Sequence, residues 1–92
     1  MPDIKNQIKN LPASGGVYLF KDENGNIIYV GKANSIKKRI QQHRRSKLAD
    51  KIHYIDYINT DSELDSLILE AKLIKRYLPR YNAKQEQPTY PN

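Results

Sequence analysis

One carboxylate in an apolar stretch is the first candidate for chemistry in this 92-residue chain. Glu70 lies within residues 67–74, and none of its neighbours three or four positions away on a helix is basic. A buried carboxylate without a partner is costly and tends to take up a proton. A bound divalent cation removes that cost, so Glu70 is a candidate metal ligand. The alternative is a glutamate at the edge of the apolar stripe that reaches water.

Two tyrosines lie in a predicted β-hairpin whose strands begin at Gly16 and end at Gly31. The Asn-Gly step at residues 24–25 is typical of the tight turn between them. Alternation of side chains places Tyr18 and Tyr29 on one face, with Phe20 and Ile27, and leaves the other face to the remaining apolar residues Val17, Leu19, Ile28 and Val30. A phenol with a pKa near 10 is a poor base unless nearby positive charge stabilises its anion.

Positive charge is available on both sides of this tyrosine pair. Lys32 follows Gly31, whose missing side chain leaves room for a ligand to approach the backbone. Arg39 and His43 are four residues apart and share one face of a helix predicted from residue 34 or 35 to residue 45. A guanidinium group binds a phosphate through two hydrogen bonds, and an imidazole binds phosphate or moves a proton. Both are also ordinary residues for a solvated basic helix.

The charge of the chain favours a polyanionic partner, since its formal net charge is +6 and its pI is about 9.6. Residues 32–51 hold eight of the 16 lysines and arginines and one acid, whereas residues 61–70 hold four acids. Lys37 and Lys38 in this basic block are candidate DNA contacts. The chain has no cysteine, no apolar run of about 18 residues and no signal-peptide pattern at its start, which predicts a cytoplasmic protein that does not enter a membrane.

The elements that must position these residues follow the order α-β-β-α-β-α. We predict a short helix at residues 2–11, the hairpin, the helix ending near residue 45, a strand at residues 56–59 and a helix at residues 62–77 that starts with a Thr60-x-x-Glu63 capping box. The predicted buried stripe of the last helix consists of Leu64, Leu67, Ile68, Ala71, Ile74 and Leu78. The fold class is α+β, with a small, mostly antiparallel three-stranded sheet flanked by helices. Residues 1–82 form the predicted domain and residues 83–92 a tail or linker stub.

These motifs, taken in order, resemble those of the GIY-YIG nucleases. Gly-Val-Tyr at residues 16–18 and Tyr-Val-Gly at residues 29–31 match the paired motif after which that family is named. The likeness covers roughly residues 11–91 and is greatest to the N-terminal nuclease module of UvrC-type repair proteins. It continues through Lys32-Ala33, Arg39, Thr60-Asp61-Ser62-Glu63, Leu69-Glu70 and Pro79-Arg80-Tyr81-Asn82.

The resemblance implies a metal-dependent endonuclease domain that hydrolyses one strand of DNA, with the incision 3′ to a lesion in nucleotide excision repair. It implies Mg²⁺ or Mn²⁺ at Glu70 and catalytic roles for five other residues: Tyr18, Tyr29, Lys32, Arg39 and His43. Gly31, Lys37, Lys38 and Asn82 are assigned to substrate binding, and Asn82 matches an asparagine that braces the site in the family. Either tyrosine could be the general base; Tyr29 is slightly favoured because the metal should lie at its end of the hairpin. The expected partners are DNA, further domains of a longer parent, and repair subunits of the UvrA and UvrB type.

Two positions depart from the UvrC pattern. Gly15-Gly16 stands where Pro-Gly is usual, and His43 stands where tyrosine is common, although histidine occurs there in other GIY-YIG nucleases. Three alternatives therefore stay open. The chain could be a GIY-YIG module of another parent, such as an exonuclease fusion, a mobile-element enzyme or a structure-selective nuclease. It could also be a catalytically silent DNA-binding domain, or an adaptor whose basic face holds acidic proteins.

Overall fold

The computed structural model of the chain describes residues 4–85. These residues form four α-helices, three β-strands and one 3-10 helix. In chain order the elements are α1 (Ile4–Lys9), β1 (Gly16–Lys21), β2 (Ile27–Ala33), α2 (Ile36–His43), the 3-10 helix (Lys47–Lys51), β3 (Tyr54–Asn59), α3 (Glu63–Tyr77) and α4 (Arg80–Gln85). The predicted fold class is confirmed, and the 3-10 helix was not predicted.

The sheet is fully antiparallel, and β1 is its central strand in the order β2-β1-β3. The hairpin turn between β1 and β2 has Gly25 at a φ of 85°, a backbone conformation that glycine adopts without strain. The Asp22 carboxylate accepts hydrogen bonds from the backbone of Asn24 and Asn26 and closes the turn. Strand β3 begins two residues earlier than predicted.

A register shift after Phe20 corrects the predicted alternation at the start of β2. Phe20 pairs with Tyr29 while Lys21 pairs with Ile27, so Ile28 has no partner on β1. Ile28 consequently packs with the tyrosines, and Ile27 packs against the opposite cluster. Both residues therefore lie on the face opposite to the one expected from strict alternation.

The sheet has a separate apolar cluster on each face. The larger one contains both tyrosines of the hairpin and the inward residues of α1 and α2: Ile8, Leu11, Tyr18, Phe20, Ile28, Tyr29, Ile36, Ile40, Ile52 and Ile55. On the opposite face, Val17, Leu19 and Val30 are covered by Leu69, Leu73 and Ile74 of α3. The tyrosine face of β1 is therefore the face on which α2 also lies.

Helix α3 is rotated about its axis relative to the prediction. Four of the six residues expected in its buried stripe are large and exposed: Leu64 (63%), Leu67 (49%), Ile68 (46%) and Leu78 (73%). Ala71 is also exposed, and of the six only Ile74 packs on the sheet. Apolar residues occur nearly all round this helix, so periodicity alone does not decide which face is buried. The observed rotation turns Ser66, Leu69 and Glu70 inward.

Serine side chains cap the two longest helices. Ser35 accepts a hydrogen bond from the Lys38 backbone at the start of α2, as expected for one of its two candidate caps. Ser62 does the same for Asp65 at the start of α3, so the predicted capping box that begins at Thr60 is wrong by two residues. The Thr60 hydroxyl instead bonds the Ser66 hydroxyl at 2.5 Å.

Helix α4 follows Pro79 and includes residues 83–85, which the sequence had placed in the tail. The rest of the predicted tail, residues 86–92, and the predicted start of the first helix lie outside the described residues. Among residues 4–85, no helix has both the length and the apolar character needed to cross a bilayer.

Candidate active site

Three aromatic rings from β1, β2 and α2 meet on the tyrosine face of the sheet. The ring centroids of Tyr18 and Tyr29 are 6.1 Å apart, and the His43 ring lies 5.7 Å and 5.6 Å from them, edge-on to both. The Tyr18 hydroxyl and Nε2 of His43 form a hydrogen bond of 3.0 Å, in which either atom donates according to the imidazole tautomer. The two phenols predicted to lie side by side are thus joined by the His43 imidazole, which is hydrogen-bonded to Tyr18.

Gly31 makes room for this cluster. It lies directly opposite Tyr18 in the β1–β2 register, and a Cβ atom at this position would collide with the Tyr18 hydroxyl and ring. The space that the glycine leaves is therefore filled by a phenol of the protein. The expectation that it admits a ligand to the backbone is corrected by this contact.

Arg39 lies one helical turn before His43 on α2, and its side chain is exposed. Its positive charge partly offsets the rise that burial causes in the pKa values of Tyr18 and Tyr29, and it adds to the fall that burial causes in the pKa of His43. Its Nη1 atom donates a hydrogen bond of 3.2 Å to the side-chain oxygen of Gln42. The guanidinium group is thus close enough to influence the whole aromatic cluster while staying accessible to a ligand.

Burial is the largest influence on the acid–base groups of the cluster. It raises the pKa of the Tyr18 phenol well above its ordinary value, with a further rise from Tyr29, and it raises the pKa of Tyr29 as well. Burial and the Arg39 charge both lower the pKa of His43. At neutral pH both phenols are therefore protonated and the imidazole is neutral.

The Glu70 carboxylate on α3 joins this cluster through Tyr29 and Lys32. Burial raises the pKa of Glu70, while the Lys32 ammonium and a hydrogen bond from the Lys32 backbone lower it. The charge of Glu70 in turn raises the pKa of Tyr29. Within residues 4–85 the two ion pairs are Lys21–Asp56 and His53–Glu23, so Glu70 is not held by an ion pair.

The chemistry of these donors fits a magnesium-type cation. Carboxylate and phenol oxygens are hard ligands of the kind that Mg²⁺ and Mn²⁺ prefer. Residues 4–85 contain no cluster of three or more histidines, cysteines or acids that could enclose a metal ion. A site with one protein carboxylate suits Mg²⁺, which keeps several waters and also binds substrate phosphates.

A groove of about 480 Å³ runs between α2 and the start of α3, and we call it the main groove. Its lining residues are Lys32, Ala33, Asn34, Ser35, Lys38, Arg39, Gln42, Glu63 and Ser66. Three of them are cations that the sequence had assigned to the site. Two were missed as site residues: Gln42, which bonds Arg39, and Glu63, an acid opposite the three cations. The capping-box pattern identified Glu63 as a helix-start residue, and nothing in the sequence indicates that it faces a groove.

Two residues predicted to bind substrate have other contacts. The buried Asn82 side chain accepts a hydrogen bond from the Val30 N–H at 2.8 Å and donates one to the Val30 carbonyl at 2.9 Å. Both polar atoms of its amide are thus used to brace the outer edge of β2. Lys37 points to α1, where its Nζ donates to the Lys9 carbonyl at 3.2 Å, because it lies on the side of α2 away from the main groove.

Comparison with known proteins gives one consistent family. A model of the UvrC-like GIY-YIG domain matches residues 14–83. The UvrABC system protein C of Clostridioides difficile is 46% identical over 99% of this chain, and that of Caldanaerobacter subterraneus is 41% identical over 97%. The chain spans only 17% and 16% of the lengths of these two proteins.

A solved structure has the same fold. It is the GIY-YIG N-terminal endonuclease domain of UvrC from Thermotoga maritima bound to magnesium, its catalytic divalent cation. The two structures are 32% identical in sequence with a TM-score of 0.79, over 87% of this chain and 96% of that one. The family resemblance inferred from the motifs is confirmed.

Proposed function

This chain belongs to the family of UvrC-like GIY-YIG endonuclease domains, and from that premise we propose that it hydrolyses one phosphodiester bond in one strand of DNA. The observation that supports this most directly is the meeting of groups from four elements. Tyr18, Tyr29, Arg39 and His43 share one cluster, and Glu70 is coupled to it through Tyr29. Arg39, one of these groups, also lines the main groove together with Lys32 and Lys38.

Glu70 is the residue that would hold Mg²⁺ or Mn²⁺. Burial raises its pKa although the Lys32 ammonium and backbone N–H lower it, so the protein compensates its charge only in part, and the domain from Thermotoga maritima has bound magnesium. When bound, such a cation supplies positive charge that activates water, offsets charge on the phosphate and stabilises the leaving oxygen. The Glu70 carboxylate fixes the position at which that charge acts.

Three cations of the main groove bind and orient the scissile phosphate and the phosphate next to it. Arg39 is assigned the reacting phosphate itself, because its exposed guanidinium lies beside the phenols and offers two parallel hydrogen bonds. Lys32 adds positive charge at the Glu70 end of the groove. Lys38 lies on the outer rim and binds an adjacent phosphate as a point charge.

The phenols and His43 position water and move a proton. Tyr29 is assigned the attacking water, because it is the phenol that interacts with both Glu70 and Arg39. Burial opposes ionisation of this phenol, the Arg39 charge favours it and the Glu70 charge opposes it. Tyr29 passes its own proton to His43 Nε2 by way of the Tyr18 hydroxyl, and the resulting phenolate takes a proton from the attacking water. Tyr18 is more deeply buried and holds His43 through its hydroxyl, so these two residues position Tyr29 and accept a proton at His43 Nε2.

The longer parent of this domain belongs to the same proposal. The curated relatives are UvrABC system proteins about six times as long as this chain, which supports further domains in the parent. The proposed reaction is the incision 3′ to a lesion in nucleotide excision repair in the cytoplasm, together with subunits of the UvrA and UvrB type. Damage recognition is assigned to those other parts, because this domain makes up only about one sixth of the length of its relatives.

A nicking assay on supercoiled DNA tests the proposal. In Mg²⁺ or Mn²⁺ the intact domain should convert supercoiled DNA to nicked circles, and Glu70→Gln and Arg39→Ala should not. Asp65→Asn is the matched control, since it removes an acid from the exposed side of the same helix. Equal nicking by the Glu70→Gln variant would contradict the assignment of the site. DNA binding without nicking, insensitive to metal in the domain and in its longer parent, would identify a silent DNA-binding module instead.

A further inference from the structure

A second groove lies on the outer face of α2, next to the main groove. It has a volume of about 610 Å³, and its lining residues are Lys38, Gln41, Gln42, Arg44 and Arg45. Lys38 and Gln42 line both grooves and form a shared ridge between them. Of residues 4–85, those lining this second groove include three cations, two amides and no acid. The outer groove therefore adjoins the proposed reaction site and has the same sign of charge.

The spacing of its residues matches the repeat of a nucleic-acid backbone. Lys38 and Arg44, the residue that caps the C-terminus of α2, are six positions apart, about 9 Å along a helix that rises 1.5 Å per residue. A DNA strand advances about 3.4 Å per nucleotide, so this distance corresponds to about three nucleotides. Gln41 and Gln42 fill the interval and offer amide donors, which contact phosphate oxygens in protein–DNA complexes.

The shared ridge links the outer groove to the guanidinium assigned to the reacting phosphate. The side-chain oxygen of Gln42 accepts a hydrogen bond from Arg39, so its amide nitrogen is left to donate to a second ligand. The two ion pairs within residues 4–85 use neither Arg44 nor Arg45. Both arginines are exposed, so no contact within the domain accounts for their charge.

We propose that the outer groove binds the backbone phosphates of the cleaved strand, about two to three nucleotides to one side of the scissile bond. This inference rests on the proposed function and extends it to a second, sequence-independent contact with the same DNA. Arg44 and Arg45 contact the flanking phosphates, and Arg39 binds the reacting phosphate. Gln41 and Gln42 lie between these arginines and donate hydrogen bonds to the strand. The contact fixes the register of the strand in the main groove without reading its bases.

The first test measures binding without cleavage. In a Glu70→Gln background, the affinity for a 20-base-pair duplex is titrated against salt, with and without Arg44→Gln/Arg45→Gln. Losing two phosphate contacts should reduce the slope of log affinity against log salt by about 1.8, or about 0.9 for each contact. The matched control, Lys72→Gln/Lys75→Gln on α3, loses the same charge away from both grooves and should leave the slope unchanged. An equal fall in both variants, or no fall in either, would overturn the proposal.

The second test locates the contact. Single neutral methylphosphonate linkages are placed along the cleaved strand, and each duplex is measured with the protein that has both arginines and with the Arg44→Gln/Arg45→Gln variant. In the protein that has both arginines, a neutral linkage two to three nucleotides from the cut should weaken binding about as much as the arginine substitutions do. In the Arg44→Gln/Arg45→Gln variant, the same linkage should not weaken binding further. Additive losses at every position would contradict the assignment and leave the outer groove to an acidic protein partner.

Failure of this inference is distinguishable from failure of the proposed nuclease activity. The binding measurements do not depend on cleavage, and nicking by the domain with intact Glu70 is scored separately. Arg44→Lys/Arg45→Lys should restore the salt slope, because lysine keeps the charge. Far-ultraviolet circular dichroism of each variant shows whether α2 stays folded. If the double glutamine variant unfolds, the single variants Arg44→Gln and Arg45→Gln carry the test, and each should lower the salt slope by about 0.9.

Discussion

The Tyr18 hydroxyl lies 3.0 Å from Nε2 of His43, and this contact joins β1 to α2 across 25 positions of the chain. It places an ionisable imidazole inside the aromatic cluster, where burial and Arg39 both disfavour its charged form. The cluster is therefore more stable when His43 is neutral than when it is protonated.

Acid should weaken the fold through His43. Its pKa is lower in the folded state than in the unfolded chain, so the unfolded chain binds more protons below about pH 6.5 and stability falls as the pH drops through that range. Urea unfolding between pH 5 and pH 8 measures this effect. His43→Gln, which has no charge to gain, should lose that part of the pH dependence. An unchanged pH profile in the variant would show that His43 does not resist protonation.

Removing the Asn82 side chain should destabilise the domain. Asn82→Ala leaves the buried N–H and carbonyl of Val30 without partners, and this should cost about 2 kcal/mol in the free energy of unfolding. Nicking should fall as well, since Val30 adjoins Gly31 and the site. Asn24→Ala, in the exposed hairpin turn, is the control and should change stability by less than about 0.5 kcal/mol. Similar losses in both variants would refute a special role for Asn82.

A methyl group at Gly31 should conflict with Tyr18. Gly31→Ala forces the Tyr18 ring from its position, at a cost of about 1–3 kcal/mol. In a Tyr18→Leu background that cost should shrink, because the shorter side chain leaves space for the methyl group. Gly25→Ala, strained only by its positive φ, should show no such coupling to Tyr18. Additivity of the Gly31 and Tyr18 substitutions in denaturant unfolding would exclude the conflict.

Glu63 should limit DNA affinity. It is the acid that lines the main groove opposite Lys32, Lys38 and Arg39, and it repels any phosphate bound there. Glu63→Gln should raise affinity for duplex DNA about threefold at low salt. Asp65→Asn removes an acid from the same first turn of α3 and should leave affinity unchanged, because Asp65 does not line that groove. Equal effects in a fluorescence anisotropy titration would mean that only net charge matters.

Glu70→Gln should have opposite effects on stability without and with metal. Since burial raises the pKa of Glu70, its charge weakens the metal-free fold at neutral pH, and the neutral glutamine should be slightly more stable. Mg²⁺ at 100 times its Kd should stabilise the unsubstituted domain by about 2.7 kcal/mol and the variant not at all. Thermal unfolding with and without Mg²⁺ gives both numbers. A variant still stabilised by Mg²⁺ would place the metal elsewhere.

The sequence predicted the sheet better than it predicted the helix packing. The Asn-Gly turn, the Ser35 cap and the alternation around Tyr18 are local features, and local features are read directly from residue types. The rotation of α3 is different: the helix is apolar nearly all round, so its buried face is chosen by the Val17, Leu19 and Val30 cluster on the sheet. Likewise, the register shift after Phe20 depends on the pairing of β1 with β2, which the sequence of neither strand determines alone.

Some features of the site were also beyond the sequence. The joining of Glu70 to the tyrosines came from the family resemblance, since the spacing of 41 residues between Tyr29 and Glu70 says nothing about their distance. The sequence shows that Glu70 has no basic neighbour one turn away on α3. It does not show that Glu70 contacts Lys32 on β2. Glu63 and Gln42 line the same groove because the tertiary fold brings the start of α3 near α2, and no local pattern in the sequence indicates this.

The bond between Asn82 and Val30 also sets an order of events during synthesis. Fifty-two residues separate the two, so β2 leaves the ribosome with its outer edge open and stays so until α4 has been made. A nascent chain that already contains both tyrosines, Arg39 and Glu70 still lacks the residue that secures β2. The growing polypeptide is thus expected to acquire its cutting ability late, when nearly the whole domain has emerged.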